Sequence, residues 1–276
     1  MRIALCNEVI AAMPFERQCA FARGVGYDAI EIAPFTLTDD PTRLPPGHAA
    51  AWRRAAADAG IGISSLHYLM RAPAGLSITA ADTGQRRHTV EVMRTLCALA
   101  ADVGARVLVH GSPDQRALVA GEEEDGRKRG AECFAAVAAA AAQAGVIYCI
   151  EPLSRHQTKF VNTVEEAAAI VRAIGSPAVR TMIDCSAAGQ TEAVPVADLI
   201  RRWVPTGLIG HIHFNDPNRR GPGEGAMAFA PILAALAASN YAGDSAVEPF
   251  IYEPDGPTCA ARQIGYLRGL IEAGNA

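Results

Sequence analysis

The sequence contains no apolar segment that approaches the ~18 residues needed to cross a membrane. It also lacks an excess of positive charge, since 25 Lys and Arg residues stand against 29 Asp and Glu residues, a net charge of −4. Proteins that bind nucleic acid usually present a basic surface, which this balance does not indicate. We therefore expect neither a membrane nor a nucleic acid as a partner.

Paired cysteines are missing as well. The seven cysteines are an odd number, and no two of them have the Cys-x-x-Cys spacing of a redox or zinc motif. The first ten residues are too short and too polar to be a signal peptide. These features favour reduced, buried thiols in a cytoplasmic protein.

The sequence does contain a regular alternation of strand-like and helix-like segments, and 50% of its residues are apolar. Strands are predicted at Arg2–Cys6, Ala29–Ile32, Gly62–Leu66, Arg106–His110, Val146–Glu151, Arg180–Asp184, Ile209–Phe214 and Asp244–Glu248. Helices are predicted near Phe15–Arg23, Gly47–Asp58, Thr83–Asp102, Gly126–Gln143, Thr163–Arg172, Val196–Trp203, Phe229–Ala238 and Thr258–Glu272.

Eight such units in 276 residues match the size and order of a (β/α)₈ barrel, the TIM barrel of the α/β class. An open, doubly wound sheet is the alternative, but its first turn usually carries a glycine fingerprint. Here that turn reads Cys6-Asn7-Glu8-Val9, which favours the barrel. No linker or change of composition interrupts the chain, so residues 1–276 are predicted to form one TIM-barrel domain.

Four consecutive predicted strands end in a side chain that can bind a metal ion. They carry Glu151, Asp184, His213 and Glu248, and each is about one βαβ repeat, roughly 30 residues, from the next. Consecutive barrel strands end at the same rim, so these four side chains are expected to meet there. A single glutamate at a strand end is more often structural, but four such positions in succession favour a metal site.

Three carboxylates and one imidazole at one point would repel strongly unless a cation lay among them. Hard oxygen ligands with a single nitrogen suit one divalent metal, Mn²⁺ first, with Mg²⁺ or Co²⁺ as alternatives. Such an ion would polarise a substrate carbonyl as a Lewis acid. A carboxylate of the same cluster could then act as the general base.

These residues make the chain similar to the xylose-isomerase-like sugar isomerase/epimerase superfamily, which also contains endonuclease IV. The resemblance is nearest to ketose 3-epimerases and hydroxypyruvate isomerase, covers nearly the whole chain and is strongest from Tyr148 onward. The segments that carry it are Ile150-Glu151-Pro152-Leu153, Asp184, Gly210-His211-Ile212-His213, Asn218-Arg219-Arg220, Pro222-Gly223-Glu224-Gly225 and Val247-Glu248-Pro249-Phe250.

The resemblance implies a role for each matching position. Glu151, Asp184, His213 and Glu248 would bind one divalent metal, commonly manganese. The two glutamates would flank the substrate and transfer the proton, and Arg219 would contact substrate hydroxyls.

Further polar residues are predicted to lie around the substrate. His67 and His110 end the third and fourth predicted strands and would donate hydrogen bonds to it. His211 lies two residues before His213, so the two side chains point to the same face of the strand, and His211 would support the ligand or pack in the core. Glu8 and Glu31, at the first two strand ends, could line the pocket in the same way, although a structural role is favoured for each.

Two departures from the ketose 3-epimerase pattern affect the substrate. Ala187 stands where those enzymes have a histidine, and Gln157 stands where they have a glutamate. In those relatives both side chains hold the first hydroxyls of the substrate. The sequence therefore keeps the family's metal-binding positions but changes two positions that contact the substrate. This change argues against a free ketohexose as the substrate.

We expect an enzyme, a divalent-metal-dependent isomerase or epimerase of a ketose, sugar acid or keto-sugar derivative, acting by proton transfer through a metal-bound cis-enediolate. A metal-dependent lyase or dehydratase on a keto-sugar or inositol-type substrate is the alternative. An endonuclease-IV-like phosphodiesterase is less favoured, because the second metal that it implies near His67 and His110 would need a histidine at Ala187. The partner is a small-molecule carbohydrate. Homodimeric and homotetrameric assembly both stay open.

Overall fold

The computed structural model of the protein describes residues 1–274. Its strands are β1 Arg2–Cys6, β2 Ala29–Ile32, β3 Gly62–Leu66, β4 Val107–His110, β5 Ile147–Ile150, β6 Val179–Asp184, β7 Ile209–Phe214 and β8 Asp244–Val247. Each strand pairs in parallel with the next, and β1 pairs with β8, which closes the barrel. The predicted (β/α)₈ barrel is confirmed, and the doubly wound alternative is wrong.

The helices surround the barrel between its strands. They are α1 Phe15–Val25, α2 His48–Asp58, α3 Thr83–Val103, α4 Glu123–Ala144, α5 Val164–Ile174, α6 Cys185–Thr191, α7 Val196–Trp203, α8 Phe229–Ala238 and α9 Gly256–Gly274. Helix α4 begins three residues before the predicted start, because Glu123, Glu124 and Asp125 form its first turn, where acidic side chains are favoured by the helix dipole.

Helix α6 was not predicted from the sequence. It has only 7 residues and directly follows Asp184. The Asp184 side chain accepts a hydrogen bond from the Ala187 amide at 2.6 Å, which caps the helix. The same carboxylate that was predicted to bind a metal therefore also starts a helix, and α6 is too short to show an apolar period in the sequence.

Glycine ends several helices at the face of the barrel opposite the predicted site. Gly145 adopts φ 69° after α4, and its amide donates to Ala141 O and Ala142 O. This left-handed conformation is adopted most readily by glycine and turns the chain towards β5. The turns at this face are short, so the longer loops all follow the carboxyl ends of the strands.

Two register shifts adjust the direction of side chains in the sheet. One lies between Ile30 and Glu31 where β2 pairs with β3, and the other lies between Thr181 and Met182 where β6 pairs with β7. An extra residue in one strand changes which side chains face the barrel interior. Both shifts lie next to the predicted metal-binding end of the barrel.

The main apolar core contains residues of both the strands and the surrounding helices. Two smaller clusters consist of strand residues, one around Cys6 and Ala246 and the other around Val109 and Met182. All seven cysteines are buried and unpaired, as predicted. Among residues 1–274, no helix is both long enough and apolar enough to span a membrane.

Candidate metal and active site

Four ligand-type side chains meet at the carboxyl end of the barrel. Glu151 directly follows β5, Asp184 ends β6, His213 lies near the end of β7, and Glu248 directly follows β8. One nitrogen or oxygen atom of each lies within 4.8 Å of the corresponding atom of every other, and all four residues are buried. The structure thus brings together the four residues that were predicted to bind a metal.

His213 directs one ring nitrogen at all three carboxylates. Its Nδ1 lies 3.0 Å from Glu248 Oε2, 3.2 Å from Glu151 Oε1 and 3.8 Å from Asp184 Oδ2. None of these contacts has the geometry of a hydrogen bond, so this buried nitrogen has no hydrogen-bond partner. When Nδ1 carries no proton, this nitrogen and the three converging carboxylates would form a donor set that fits a hard divalent cation.

The charges of the cluster also favour a cation. Burial, together with repulsion from Glu151 and Glu248, raises the pKa of Asp184 to about 8. Burial acts in the same direction on Glu248, but His213 and His67 outweigh it and lower the pKa of Glu248 to about 2. Ionising all three carboxylates at such short distances is unfavourable, because their negative charges repel one another. A bound cation would relieve this repulsion.

Asn215 holds two of the carboxylates in place and was not predicted. Its Nδ2 donates to Asp184 Oδ2 at 2.6 Å and to Glu248 Oε2 at 3.3 Å. Its Oδ1 accepts from the Ser186 amide at 2.8 Å, which fixes the orientation of the side chain. The only sequence signal was the position of Asn215 in the polar segment after His213, and that position alone does not reveal its partners.

Arg116 fixes the backbone at the tip of β5. Its fully buried guanidinium donates to Glu151 O and to His110 O, both at 2.8 Å. Burial lowers the pKa of Arg116 to about 10. Arg116 lies in the loop between β4 and α4 and belongs to no motif, so no sequence signal indicated this role.

Gly111 makes room for the carboxylate of Glu151. A Cβ atom at this position would lie 1.5 Å from Glu151 Oε2 and 2.8 Å from Glu151 Cδ. Any larger residue must therefore displace the Glu151 side chain from the cluster.

We expect Gly111→Ala to lower turnover by ~10-fold or more, because a displacement of about 1 Å at a reacting group can reduce the rate by up to ~10²-fold. Turnover and the unfolding temperature are the measurements. Gly265→Ala is the matched control, since Gly265 lies exposed in α9 with nothing within 4 Å of the added carbon. Equal turnover in the two variants would contradict the assignment.

Glu31 lies below the cluster in the barrel interior. Its Oε1 is 2.8 Å from His213 Nε2, and its Oε2 is 2.7 Å from His211 Nε2. All three side chains are fully buried. Burial opposes ionisation of Glu31, but His211 and His213 outweigh it and hold the pKa of this carboxyl well below its usual range. His211 thus contacts Glu31 in the barrel interior and does not line the cavity described below.

His67 and His110 do not line that cavity either. His67 Nδ1 lies 3.0 Å from Glu248 Oε1, and His67 Nε2 lies 3.2 Å from Glu8 Oε2. His110 Nδ1 lies 2.7 Å from Tyr148 Oη, away from the cluster. His67 thus contacts the Glu248 carboxylate, and the His110 ring packs against Phe134 and Tyr148. Direct contact of these two histidines with the substrate stays a prediction.

A cavity of about 510 Å³ opens directly above these clustered side chains. It contains the predicted residues Arg219 and Gln157 as well as Glu151, Asp184 and Glu248. Its remaining lining residues are Tyr68, Gly111, Pro113, Leu153, Ser154, His156, Ser186, Gln190, Pro217 and Phe250. This volume lies in the range of about 300–1,000 Å³ that is typical of small-molecule sites.

Arg219 and Tyr68 line this cavity in an unusual backbone conformation. Both have positive φ, 70° for Arg219 and 49° for Tyr68. The Arg219 guanidinium lies 5.5 Å from the centre of the Phe250 ring, and the Arg219 carbonyl accepts from the Phe250 amide at 2.8 Å. Positive φ in residues other than glycine is uncommon and often occurs at functional sites.

Comparison with known proteins places this geometry in a family. Residues 19–270 match the family described as xylose isomerase-like TIM barrel. The chain is 37% identical over 123 residues to D-psicose 3-epimerase of Agrobacterium fabrum, a match that covers 45% of this chain and 42% of that protein. The matched segment thus spans less than half of that relative.

Two further similarities extend over most of the chain. L-ribulose 3-epimerase of Mesorhizobium japonicum is 30% identical over 247 residues, which cover 88% of this chain and 78% of that protein. A solved structure of L-ribulose 3-epimerase superposes with a TM-score of 0.84 at 26% identity, covering 99% of this chain and 95% of the other.

Proposed function

This chain belongs to the xylose isomerase-like TIM barrel family, and we propose that it is a divalent-metal-dependent isomerase or epimerase of a ketose or keto-sugar derivative. The observation that carries the proposal is the convergence of Glu151, Asp184, His213 and Glu248 within 4.8 Å at the floor of a cavity. The names of the relatives support the same class, because both are 3-epimerases of ketoses.

The four clustered side chains would hold one divalent ion, for which Mn²⁺ is the first candidate and Mg²⁺ or Co²⁺ the alternatives. When bound, the ion supplies Lewis-acid polarisation of a substrate carbonyl. Arg219 would bind the substrate from the wall of the cavity, where its guanidinium is held against Phe250. The cavity therefore offers a place for the carbonyl end of the substrate at its floor, and Arg219 offers a cationic contact on its wall.

Glu151 and Glu248 would move the proton. Both carboxylates line the cavity, and they follow different strands, β5 and β8, so they can approach a substrate carbon from different sides. One removes the proton next to the carbonyl, and the other returns a proton to the opposite face or to the adjacent carbon. The first outcome is epimerisation and the second is aldose–ketose isomerisation.

Deuterium exchange tests this proposal. Keto-sugars incubated with the Mn²⁺-loaded protein in deuterated water should gain deuterium at the carbon next to the carbonyl, and a stereoisomer or positional isomer should form. Loss of water from the sugar would instead indicate the lyase or dehydratase alternative. Absence of both exchange and product across ketoses, sugar acids and their derivatives would refute the proposal.

The changed residues Ala187 and Gln157 lead to a prediction about substrate. Gln157 Oε1 accepts from the Ser154 amide at 3.2 Å and from Ser154 Oγ at 2.9 Å, so this amide is held to its own loop. Ala187 is buried and offers only a methyl group. Two groups capable of charged hydrogen bonds are therefore absent, and each such bond contributes about 1.5–3 kcal/mol.

We expect free fructose, psicose and tagatose to be poor substrates, and a derivative with a larger or less hydroxylated end to be better. Specificity constants for matched free and substituted keto-sugars are the measurement. The double variant Ala187→His, Gln157→Glu should raise the constant for a free ketohexose. A constant near ~10⁴ M⁻¹s⁻¹ or above for an ordinary free ketohexose would contradict this prediction.

A further inference from the structure

Glu31 is a fully buried carboxylate. The polar atoms near its oxygens belong to His67, His211, His213, Ser65 and Cys6. It lies in β2 between Ile30 and Ile32, and the register shift before it occurs where β2 pairs with β3. Ser65 Oγ also donates to Glu31 Oε2. A buried carboxylate is costly unless its oxygens are paired, and here polar groups lie close to both oxygens.

The contact of Glu31 with His213 is made by the ring nitrogen that faces away from the cluster. An ionised carboxylate only accepts hydrogen bonds, so His213 Nε2, at 2.8 Å from Glu31 Oε1, must be the donor. A neutral imidazole with its proton on Nε2 has its lone pair on Nδ1. Nδ1 is the atom that faces Glu151, Asp184 and Glu248.

We propose that Glu31 is a positioning residue for the metal site: it orients His213 and fixes the proton on Nε2, so that Nδ1 is available as a metal ligand. His211 Nε2 lies 2.7 Å from Glu31 Oε2, on the other side of the same carboxylate. Ser65 Oγ holds it from a third direction. The inference rests on the proposed function, since it assumes that the cluster binds a divalent ion.

Calorimetric titration of the metal-free protein with MnCl₂, which gives the Mn²⁺ dissociation constant, tests the role of Glu31. Glu31→Gln keeps the size of the side chain but removes its charge and one of its two acceptor oxygens. Loss of a carboxylate behind a ligand histidine typically weakens metal binding by ~10–100-fold, and we expect a loss in that range. A purely structural residue would instead lower the unfolding temperature of the metal-free protein without changing the Mn²⁺ dissociation constant.

Tyr148→Phe is the matched control. It removes a buried polar contact of similar depth, the bond at 2.7 Å between Tyr148 Oη and His110 Nδ1, which touches none of the four ligands. The Mn²⁺ dissociation constant of this variant should stay within ~2-fold of that of the unmodified protein, because no group near the ion changes.

Ser65→Ala keeps the inference testable if Glu31→Gln does not fold. This change leaves the carboxylate in place but removes the hydroxyl that donates to it, and Mn²⁺ binding should weaken by ~2–10-fold, as for the loss of one hydrogen bond. Unchanged affinity in the folded Glu31→Gln variant, or in Ser65→Ala if only that folds, would overturn the inference alone. Failure of the unmodified protein to bind Mn²⁺, Mg²⁺ or Co²⁺ would overturn the proposed function and this inference together.

Discussion

Glu151→Gln and Glu248→Gln should each lower turnover by at least ~10²-fold at saturating Mn²⁺, because each removes a group that accepts or donates a proton in the reaction. Glutamine has the same length as glutamate and retains one oxygen, so the shape of the cavity is preserved. Measuring turnover and deuterium exchange in each variant separates the two roles. The variant that lacks the proton acceptor should lose exchange, whereas the variant that lacks the donor should still exchange deuterium but form little product.

Metal occupancy must be measured in the same variants, because both residues also belong to the ligand cluster. Glu253→Gln is the control: this glutamate lies in the same loop as Glu248 but its side chain is exposed and pairs with Arg220. Its turnover should be close to that of the unmodified protein. If both cluster variants bound the metal and still turned over at near-normal rates, Glu151 and Glu248 would not be the proton carriers.

Removal of the metal should abolish turnover, and addition of Mn²⁺, Mg²⁺ or Co²⁺ should restore it. The same treatment should lower the unfolding temperature, because a ligand that binds only the folded state stabilises it by about 2.7 kcal/mol at 100 times its dissociation constant. For a chain of this size, that corresponds to a shift of about 5–10 °C. Chelator dialysis, metal analysis and thermal unfolding before and after addition of MnCl₂ are the measurements.

Asp184→Asn serves as the internal control for that experiment. It removes one ligand charge while leaving the side-chain oxygen that caps α6, whose bond from the Ala187 amide is 2.6 Å long. The variant should fold but show a smaller thermal shift on addition of MnCl₂. Full turnover in chelator, with no divalent ion bound, would contradict the metal dependence altogether.

The sequence predicted the strands well because each is an apolar segment bounded by clear breaks. The bounds of β1, β2, β3 and β7 agree with the prediction at both ends. At β5 the strand ends at Ile150, one residue before the predicted end, although the Glu151 amide still donates to His110 O at 3.3 Å. Strand β5 does not continue further because Pro152 has no amide hydrogen with which to extend the pairing.

The four clustered residues were predictable because their spacing follows the repeat of the fold. Glu31 was interpreted as structural, since its partner His213 lies 182 residues away along the chain. Arg116 and Asn215 were missed for a similar reason: they act on groups brought close only when the barrel closes. The burial of His110 against Tyr148 and Phe134 could not be predicted either. The sequence does not distinguish a histidine at a strand end that faces a cavity from one that faces the core.

The two halves of the barrel contribute different kinds of residue to the site. This matters for any chimera made between this chain and a related protein. The four clustered residues all come from the second half, β5 to β8, whereas Glu31, His67 and Arg116, which contact them or their backbone, come from the first half. A chimera joined near Gly145 would thus inherit its ligands from one parent and the residues that orient them from the other. We expect such an exchange to preserve the proposed metal site only between parents that share these three supporting positions.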